Sequence, residues 1–305
     1  MGNATHGGSD ETRTPGTFEV SDTPEVSGAM GRADVPAAPV GIVFTDVDGT
    51  LVGADHHPIL STEPVMREVG SRVPVCLVSA RSPEGLYSIQ EALGFSGPMA
   101  CFSGAYVLDE RGGVLLSKTF PTADALEVKE YLARELPGLA VGTYGFHDWI
   151  VDDRSDPLVA REEAAVQTCA RECADVEGTF GGRGVHKLLI MGDRDSIFEA
   201  ERVLSARYPH LSVVRSSPIL CEVMVRGVSK SEAVRVICEH CGVDPERAIA
   251  FGDGPNDIDM LRAVRRSFAM ANGEEQVKQA ASEVVPWTNE EGGVARMLER
   301  LVLGA

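Results

Sequence analysis

The sequence predicts an α/β fold in which a doubly wound parallel sheet is interrupted by an inserted α+β segment. Three observations support this prediction. Short apolar, β-branched stretches alternate with stretches of helical periodicity over residues 39–118, and the same alternation returns over residues 222–305. Between them, residues 119–221 mix strand and helix signals in a less regular order, as expected of a separate layer.

Residues 1–38 stand apart from this pattern. They are rich in Gly, Ser, Thr, Pro, Asp and Glu and carry almost no large apolar side chains. Such a segment cannot bury enough apolar surface to offset the entropy lost on ordering, so we expect a disordered tail. The predicted organisation is therefore a tail at 1–38, a core built from 39–118 and 222–305, and an inserted domain at 119–221.

The first part of the core begins with an apolar strand at residues 40–45 and a short helix at 62–69. The tripeptide Ser-Pro-Glu at 82–84 predicts the start of a second helix, because Ser suits the N-cap, Pro the first helical position and an acid the first turn. Further strands are predicted at 73–78 and 99–102, followed by a hairpin of 106–108 and 114–116 around a glycine-containing loop.

The inserted domain and the second part of the core are predicted in the same way. In the inserted domain we expect helices at 123–136, 161–174 and 196–208, strands at 149–151, 187–191, 211–214 and 221–225, and a glycine-rich loop at 177–184. The second part of the core opens on a capping box, Ser229-x-x-Glu232. It continues with strands at 248–251, 267–270 and 283–285 and helices at 258–264, 274–281 and 293–303.

The composition excludes several classes of protein. A formal net charge of −18 argues against a nucleic-acid partner, because an acidic surface repels phosphate backbones. No apolar run approaches the roughly 18 residues of a membrane helix, and no secretory signal is evident. Seven scattered cysteines indicate a reduced, cytoplasmic protein. Cys238 and Cys241 have a spacing compatible with metal binding, but packing on one helical face is the favoured interpretation.

The residues suited to chemistry begin where the first strand ends. Asp46 and Asp48 follow the apolar run, and Gly49 allows a sharp turn and a close approach of the backbone to a ligand. Charge at the end of a buried strand is costly unless it is compensated, and oxygen ligands at this position suit Mg²⁺. The alternative is an ordinary Asp-Gly turn after a strand.

A second acidic group and a lysine occur later in the chain. Asp253, Asn256 and Asp257 follow another apolar strand, and Asp253 is a candidate third ligand for the same cation. Lys230 lies in the first turn of a helix, where the macrodipole disfavours a cation unless an anion such as phosphate binds. The alternative for the acidic loop is a glycine turn in which Asn256 or Asp257 caps the next helix. The alternative for Lys230 is an ordinary exposed lysine. Ligands bind beyond the carboxyl ends of strands in open parallel sheets, which would bring these residues and Ser79 together.

Taken in order, these residues resemble the four motifs of the haloacid dehalogenase superfamily. The motifs are Asp46-Val47-Asp48-Gly49-Thr50, Ser79, Lys230 and Gly252-Asp253-Gly254-Pro255-Asn256-Asp257. The stretches 103–105, 227–230, 260–261 and 269–273 are similar to the Cof-type phosphatase branch. The resemblance extends from about residue 40 to the C-terminus. It implies a Rossmann-like catalytic core at 39–118 and 222–305, with an α+β cap domain at 119–221.

The resemblance also implies a role for each acidic motif residue. Asp46 would be the nucleophile that forms an aspartyl-phosphate, and Asp48 would protonate the leaving oxygen and then activate water. Mg²⁺ would be held by Asp46, the backbone carbonyl of Asp48 and Asp253. Asp257 would support these metal ligands.

The remaining motif residues would bind the transferring phosphoryl group. These are Gly49, Ser79, Lys230 and Asn256. Three positions depart from the family pattern, with Ala80 in place of Gly, Ser103 in place of Asn and Gly273 in place of Ala. In the cap, candidates for substrate contact are Tyr144, His147, Trp149 and the loop at 177–184, although ordinary packing is the favoured interpretation of each one singly.

The predicted function is therefore a Mg²⁺-dependent phosphatase acting on a small phosphorylated metabolite, such as a sugar phosphate. One alternative is a phosphomutase on the same scaffold, which would return the phosphoryl group to its substrate. Another is a catalytically idle binding or regulatory module, although such a protein has no need of Asp48 beside Asp46. Dehalogenation is disfavoured because Asp48 and the metal ligands belong to phosphoryl transfer within the family. The sequence leaves the oligomeric state open.

Overall fold

The computed structural model of the chain describes residues 39–304, and the tail predicted at residues 1–38 lies outside the described residues. Within residues 39–304 the chain forms fourteen strands. In chain order they are β1 (Ile42–Thr45), β2 (Val75–Val78), β3 (Met99–Cys101), β4 (Tyr106–Leu108), β5 (Val114–Ser117), β6 (Ala140–Gly145), β7 (Asp148–Val151), β8 (Arg171–Glu172), β9 (Lys187–Met191), β10 (Leu211–Ser217), β11 (Leu220–Val225), β12 (Ala248–Gly252), β13 (Arg266–Ala269) and β14 (Glu283–Val284).

The α-helices of this part of the chain are α1 (Glu63–Arg72), α2 (Pro83–Ala92), α3 (Thr122–Glu135), α4 (Pro157–Val166), α5 (Val176–Phe180), α6 (Arg194–Arg207), α7 (Lys230–Cys241), α8 (Ile258–Arg262), α9 (Glu275–Ala280) and α10 (Gly293–Leu298). A turn of π-helix, Glu299–Leu303, continues α10. Among the described residues, none of the helices combines the length and the apolar character needed to cross a bilayer.

Eight strands form one sheet in the order β14-β13-β12-β1-β2-β3-β4-β5. The first six strands in this order are parallel. At the other edge, β4 pairs antiparallel to β3, and β5 pairs antiparallel to β4. From β1 the chain builds outward through β2 and β3. It later returns beside β1 as β12 and builds outward on the other side through β13 and β14. The predicted doubly wound α/β sheet is therefore confirmed, and its switch point lies between β1 and β12.

Helices cover both faces of this sheet. Successive side chains of a strand point to opposite sides, so each face carries apolar side chains that a helix can bury. Val43 of β1 packs in the apolar cluster that includes residues of α1, α2 and α10. Ile42 and Phe44 pack in the opposite cluster with residues of α7 and α8. This packing fixes the position of the strand ends.

The inserted segment forms a second, mostly antiparallel sheet in the order β10-β11-β9-β6-β7-β8. Helices α3 and α6 pack on one of its faces, where Leu132 and Leu204 join the cluster of Ile150 and Leu188. The predicted limit of this segment at residue 221 is too early, because β11 continues through residues 222–225 and pairs there with β9 and β10.

Two predicted elements of the inserted segment are wrong. The helix predicted at 161–174 is α4, which starts earlier because the side chain of Asp156 caps it and Pro157 is its first residue. It ends at Val166, because the next residue, Gln167, has a left-handed backbone, and Arg171–Glu172 forms β8 beside β7. The pairing with β7 is a tertiary contact that helical periodicity does not reveal.

The glycine-rich loop predicted at 177–184 contains a short helix, α5, because Val176 and Phe180 are buried in the core of the inserted segment. The sequence also does not predict β6, which lies between β7 and β9. Its sequence, AVGTYG, contains two glycines, which weaken the strand signal.

Candidate active site

The carboxyl ends of β1 and β12 meet at the switch point of the larger sheet. The two strands pair with Thr45 opposite Phe251, and the Asp46 N–H donates to the Phe251 carbonyl oxygen at 3.0 Å. Asp46, Asp253 and Asp257 each offer a carboxylate oxygen, and these oxygens all lie within 4.8 Å of one another. Two strand ends that are distant in sequence thus form one acidic cluster.

Lys230 is the first residue of α7, and its side chain is buried against this acidic cluster. Its Nζ donates to Asp46 Oδ1 at 2.5 Å and to Asp257 Oδ1 at 2.6 Å. The macrodipole disfavours an ammonium at a helix N-terminus, but direct contact with two carboxylates outweighs that effect. Lys230 is therefore not an exposed lysine, and its charge lies beside Asp46.

Asp257 organises the loop that carries Asp253. Its second oxygen, Oδ2, accepts the N–H groups of Asp253 and Gly254, each at 3.0 Å. Asp253 is oriented in turn by Thr50, whose hydroxyl donates to Asp253 Oδ1 at 2.7 Å. Both oxygens of Asp257 are thus engaged by protein groups, whereas Asp253 retains one free of such a bond within residues 39–304.

Position 49 requires a glycine for two reasons, its backbone conformation and its close approach to Asp253. Its φ of 80° lies in the left-handed region, and a Cβ at this position would overlap Asp253 Oδ2. The carbonyl oxygen of Gly49 accepts a hydrogen bond from the Asn272 side chain at 2.7 Å. A larger residue at position 49 would therefore displace a carboxylate of the cluster.

The acidic cluster carries more negative charge than Lys230 neutralises. Burial raises the pKa of Asp46 well above its ordinary value, and the Asp257 carboxylate raises it further despite the lysine. Burial also raises the pKa of Asp253 to about 6, although the Thr50 hydrogen bond opposes this shift. A divalent cation would relieve the repulsion, and carboxylate oxygens are the donors that Mg²⁺ prefers. The residues present therefore fit a magnesium ion.

Asp48 is held by two basic side chains that are separate from the lysine. Arg81 donates from Nε to Asp48 Oδ2 at 2.9 Å and from Nη2 to Oδ1 at 2.6 Å, while His56 Nδ1 lies 3.0 Å from Oδ1. Burial raises the pKa of Asp48, but the hydrogen bonds from His56 and Arg81 outweigh burial and hold the pKa well below its usual range. Asp46 and Asp48 thus occupy different electrostatic environments.

The other predicted phosphate-binding residues lie near the same sheet edge. Ser79 is buried at the carboxyl end of β2, and its hydroxyl oxygen accepts the Arg81 N–H at 3.2 Å. Asn256 is exposed on the loop before α8, so it is accessible to a ligand but not packed into the acidic cluster. The phosphate-binding role of Asn256 stays a prediction.

Sequence reasoning did not single out Arg81, His56 or Thr50. Arg81 is 6% exposed, and a buried guanidinium needs an anionic partner, so its charge just after a strand could have indicated one. His56 has a left-handed backbone with a φ of 63°, which no sequence signal in its loop predicts. Thr50 belongs to the first motif, but its contact with Asp253 depends on the pairing of β1 with β12.

A cavity of about 510 Å³ lies between these residues and the inserted segment. On the side of the larger sheet it is lined by Asp48, His56 and Arg81. On the side of the smaller sheet its polar and apolar lining includes Tyr144, Glu162, Lys187, Leu189, Leu220 and Glu222. Its volume falls within the roughly 300–1,000 Å³ of typical small-molecule sites.

Of the residues predicted to contact substrate from the inserted segment, Tyr144 lines this cavity. Trp149 stacks on Tyr144 with ring centroids 5.0 Å apart. His147 Nδ1 lies 2.8 Å from Glu84 Oε1 of α2, so it links the inserted segment to the larger domain. We therefore retain Tyr144 as the direct-contact candidate of this group.

Comparisons with known proteins agree with this geometry. Residues 43–298 match a family model described as haloacid dehalogenase-like hydrolase. The chain is 34% identical over 258 residues to a Haemophilus influenzae protein whose name assigns it provisionally as a phosphatase, covering 84% of this chain and 96% of that protein. It is 29% identical over 262 residues to the phosphoglycolate phosphatase of Methanopyrus kandleri, covering 86% of this chain and 97% of the relative.

A solved structure is similar over nearly the same length. The haloacid dehalogenase-like hydrolase of Bacteroides thetaiotaomicron superposes with a TM-score of 0.77 at 28% sequence identity, covering 86% of this chain and 99% of the other. The likeness therefore includes both the larger sheet and the inserted segment.

Proposed function

We propose that this chain, which belongs to the haloacid dehalogenase-like hydrolases, is a Mg²⁺-dependent phosphatase of a small metabolite such as a sugar phosphate. Its reaction class is that of a phosphoric monoester hydrolase. The observation that carries this proposal is the buried Lys230 beside Asp46 in the acidic cluster. Phosphoryl transfer depends mainly on positioning and charge neutralisation. In a chain with a net charge of −18, this lysine and a bound cation would supply the local positive charge.

In this proposal residues 39–118 and 226–304 form the catalytic core. The inserted segment, residues 119–225, acts as a cap over the substrate. The cavity between Asp48 and the inserted segment supports this division. All seven cysteines are free, which supports the proposed cytoplasmic location.

Asp46 is the proposed nucleophile. One of its carboxylate oxygens attacks phosphorus, the bond from phosphorus to the leaving oxygen breaks, and that oxygen takes the electron pair and a proton from Asp48. Lys230 would stabilise the charge of the transferring group, because its Nζ already lies at hydrogen-bond distance from Asp46. Ser79, Gly49 and the exposed Asn256 are the further proposed phosphate contacts.

Water then hydrolyses the proposed aspartyl-phosphate. The water oxygen attacks phosphorus while Asp48 accepts a proton from the water. The bond between phosphorus and the Asp46 oxygen then breaks, which restores the Asp46 carboxylate and releases phosphate. The low pKa of Asp48 makes it a carboxylate in the free protein. A phosphate dianion arriving beside it would disfavour that charge, raise its pKa and so favour the protonated form that the first step needs.

Mg²⁺ would be held by the carboxylates of Asp46 and Asp253 and by the backbone carbonyl of Asp48, with Asp257 in a supporting role. When bound, it would neutralise negative charge on the phosphoryl oxygens. The buried carboxylates that Lys230 leaves uncompensated support this assignment.

We expect metal removal to lower the hydrolysis of 4-nitrophenyl phosphate by at least about 10²-fold, because a metal of this kind contributes several kcal/mol to transition-state stabilisation. The measurement is phosphate release after dialysis against EDTA, with Mg²⁺ added back as the control. Full activity in the metal-free protein would contradict the metal assignment. Failure of the native, magnesium-loaded protein to release phosphate from any monoester would contradict the proposed function.

We also expect Arg81→Gln to move the acidic limb of the rate profile to higher pH. The guanidinium donates two hydrogen bonds to Asp48 and lowers its pKa, so removing it should raise that pKa. The second step needs the Asp48 carboxylate, and activity is therefore expected to fall at a higher pH in the variant than in the native enzyme.

The measurement for Arg81 is kcat against pH, with Arg81→Lys as the matched control. Lysine retains the positive charge but loses the two-point contact, so its profile should shift less. An unchanged limb in Arg81→Gln would show that Asp48 does not control that part of the profile.

A further inference from the structure

Glu162 is a buried carboxylate for which the catalytic steps provide no use. It lies on α4 of the inserted segment, is 9% exposed and lines the cavity that faces Asp48. Within residues 39–304 its carboxylate has neither a hydrogen-bond nor an ion-pair partner. Because Glu162 lines the cavity, its carboxylate oxygens are free to accept hydrogen bonds from a bound ligand.

Glu222 and Lys187 lie in the same wall and do not satisfy Glu162. Glu222 is 8% exposed, and the nearest approach of its carboxylate to Lys187 Nζ is 4.0 Å. Lys187 donates instead to the carbonyl oxygen of Ala80 at 2.8 Å. Burial raises the pKa of Glu162, the Lys187 ammonium opposes that effect, and the negative charge of Glu222 adds to it to a smaller extent.

The buried wall therefore has two carboxylates for one ammonium. Arg161 at the exposed rim and His56 also lower the pKa of Glu162, but neither forms an ion pair with it within residues 39–304, and Arg81 is bound to Asp48. A second anionic group on a ligand would meet uncompensated carboxylates. Hydroxyl and ammonium groups would instead donate to them.

The rest of the wall is largely apolar, with Ser216 and Ser217 also in the lining. Tyr144, Leu189, Ile219 and Leu220 line the cavity beside the charged residues. These side chains suit the carbon skeleton of a small organic ligand. The phosphoryl group of such a ligand would lie toward Asp48 and its leaving group toward α4.

We propose that Glu162 and Glu222 are specificity-determining residues that accept hydrogen bonds from hydroxyl or ammonium groups of the substrate's leaving group. Lys187 anchors this wall to the core through its hydrogen bond to Ala80. The site thus favours a hydroxylated or amine-bearing leaving group and discriminates against one that carries a carboxylate or a second phosphate. This inference rests on the proposed phosphatase function, since it names the class of substrate for that site.

Three substrates of one size test the proposal: glucosamine 6-phosphate, glucose 6-phosphate and 6-phosphogluconate. In the native enzyme kcat/KM should be highest for the amine or the neutral sugar and at least about tenfold lower for the carboxylate, as expected of a desolvated charge contact. Glu162→Gln keeps the shape but removes the charge. It should lower the ratio of kcat/KM for the amine over the carboxylate by about tenfold, and Glu222→Gln should lower it in the same direction.

Glu130→Gln is the matched control, because Glu130 is an exposed residue of the same domain on α3 and undergoes the same chemical change. The ratio does not depend on how much of each variant folds, since both substrates meet the same active molecules. The ratio of the control should equal that of the native enzyme.

The proposal is overturned if 6-phosphogluconate is the best of the three substrates, or if Glu162→Gln leaves the ratio unchanged. It is also overturned if 4-nitrophenyl phosphate is hydrolysed while none of the three sugar derivatives is. In each of these cases the phosphatase function stands. Absence of turnover with 4-nitrophenyl phosphate and with all three sugar derivatives would overturn the proposed function itself.

Discussion

Asp46→Asn is expected to abolish both turnover and the covalent phospho-enzyme. The substitution preserves the size of the side chain but replaces the attacking carboxylate with an amide, which is not an adequate nucleophile. Since Asp46 lies 2.5 Å from Lys230 Nζ, the change also removes one of the two negative charges beside the buried ammonium. Phosphate release from 4-nitrophenyl phosphate should fall below detection.

A thermal melt of the Asp46→Asn protein separates chemistry from folding. Asp257 still contacts Lys230 in the variant, at 2.6 Å in the native geometry, so the lysine keeps a buried partner. We expect a cooperative transition despite the loss of activity. Acid quench and intact-mass spectrometry should reveal no added phosphoryl mass. Detection of that mass in Asp46→Asn would show that another residue is the nucleophile.

Asp48→Asn is expected to slow turnover by about 10²–10⁴-fold while leaving the nucleophile intact. The variant loses the proton donor of the first step and the base of the second, but it keeps the backbone carbonyl proposed to bind metal. An activated aryl ester needs little protonation of its leaving group, so the first step should suffer less than the second. The variant should therefore accumulate aspartyl-phosphate on Asp46.

Peptide mapping after acid quench locates the phosphoryl group in Asp48→Asn. The comparison of leaving groups is its internal control, because poor leaving groups should show the larger loss of rate. Turnover at the native rate with poor leaving groups would disprove the acid–base role of Asp48. The substitution also removes the ion pair between Asp48 and Arg81, so a melting curve should accompany the kinetics.

The acidic residues could be found from the sequence because their signals are local. Asp46 and Asp253 each follow a short apolar strand, and parallel strands place their carboxyl ends at one edge of a sheet. The ordered motifs added Ser79 and Lys230. In the structure the carboxylates of Asp46, Asp253 and Asp257 cluster together. Lys230 donates hydrogen bonds to Asp46 and Asp257.

The environment of Asp48 could not be predicted in this way. Its pKa depends on Arg81, which follows a different strand, and on His56, whose position depends on an irregular loop. Both contacts require the finished packing of β1 against β2. The sequence therefore identified Asp48 as a candidate site residue, but it did not predict the charge state of its carboxyl group.

The doubly wound sheet, the order of the motifs and the presence of an inserted α+β segment all follow from the amino-acid sequence. Periodicity, helix caps and charges at strand ends are properties of a few neighbouring residues, so they can be recognised without a structure. The folded chain was needed to establish that β6 and β8 are strands and that α4 places Glu162 in the cavity wall. Strand pairing and burial depend on contacts between residues far apart in the chain, and these contacts exist only after the whole domain has packed.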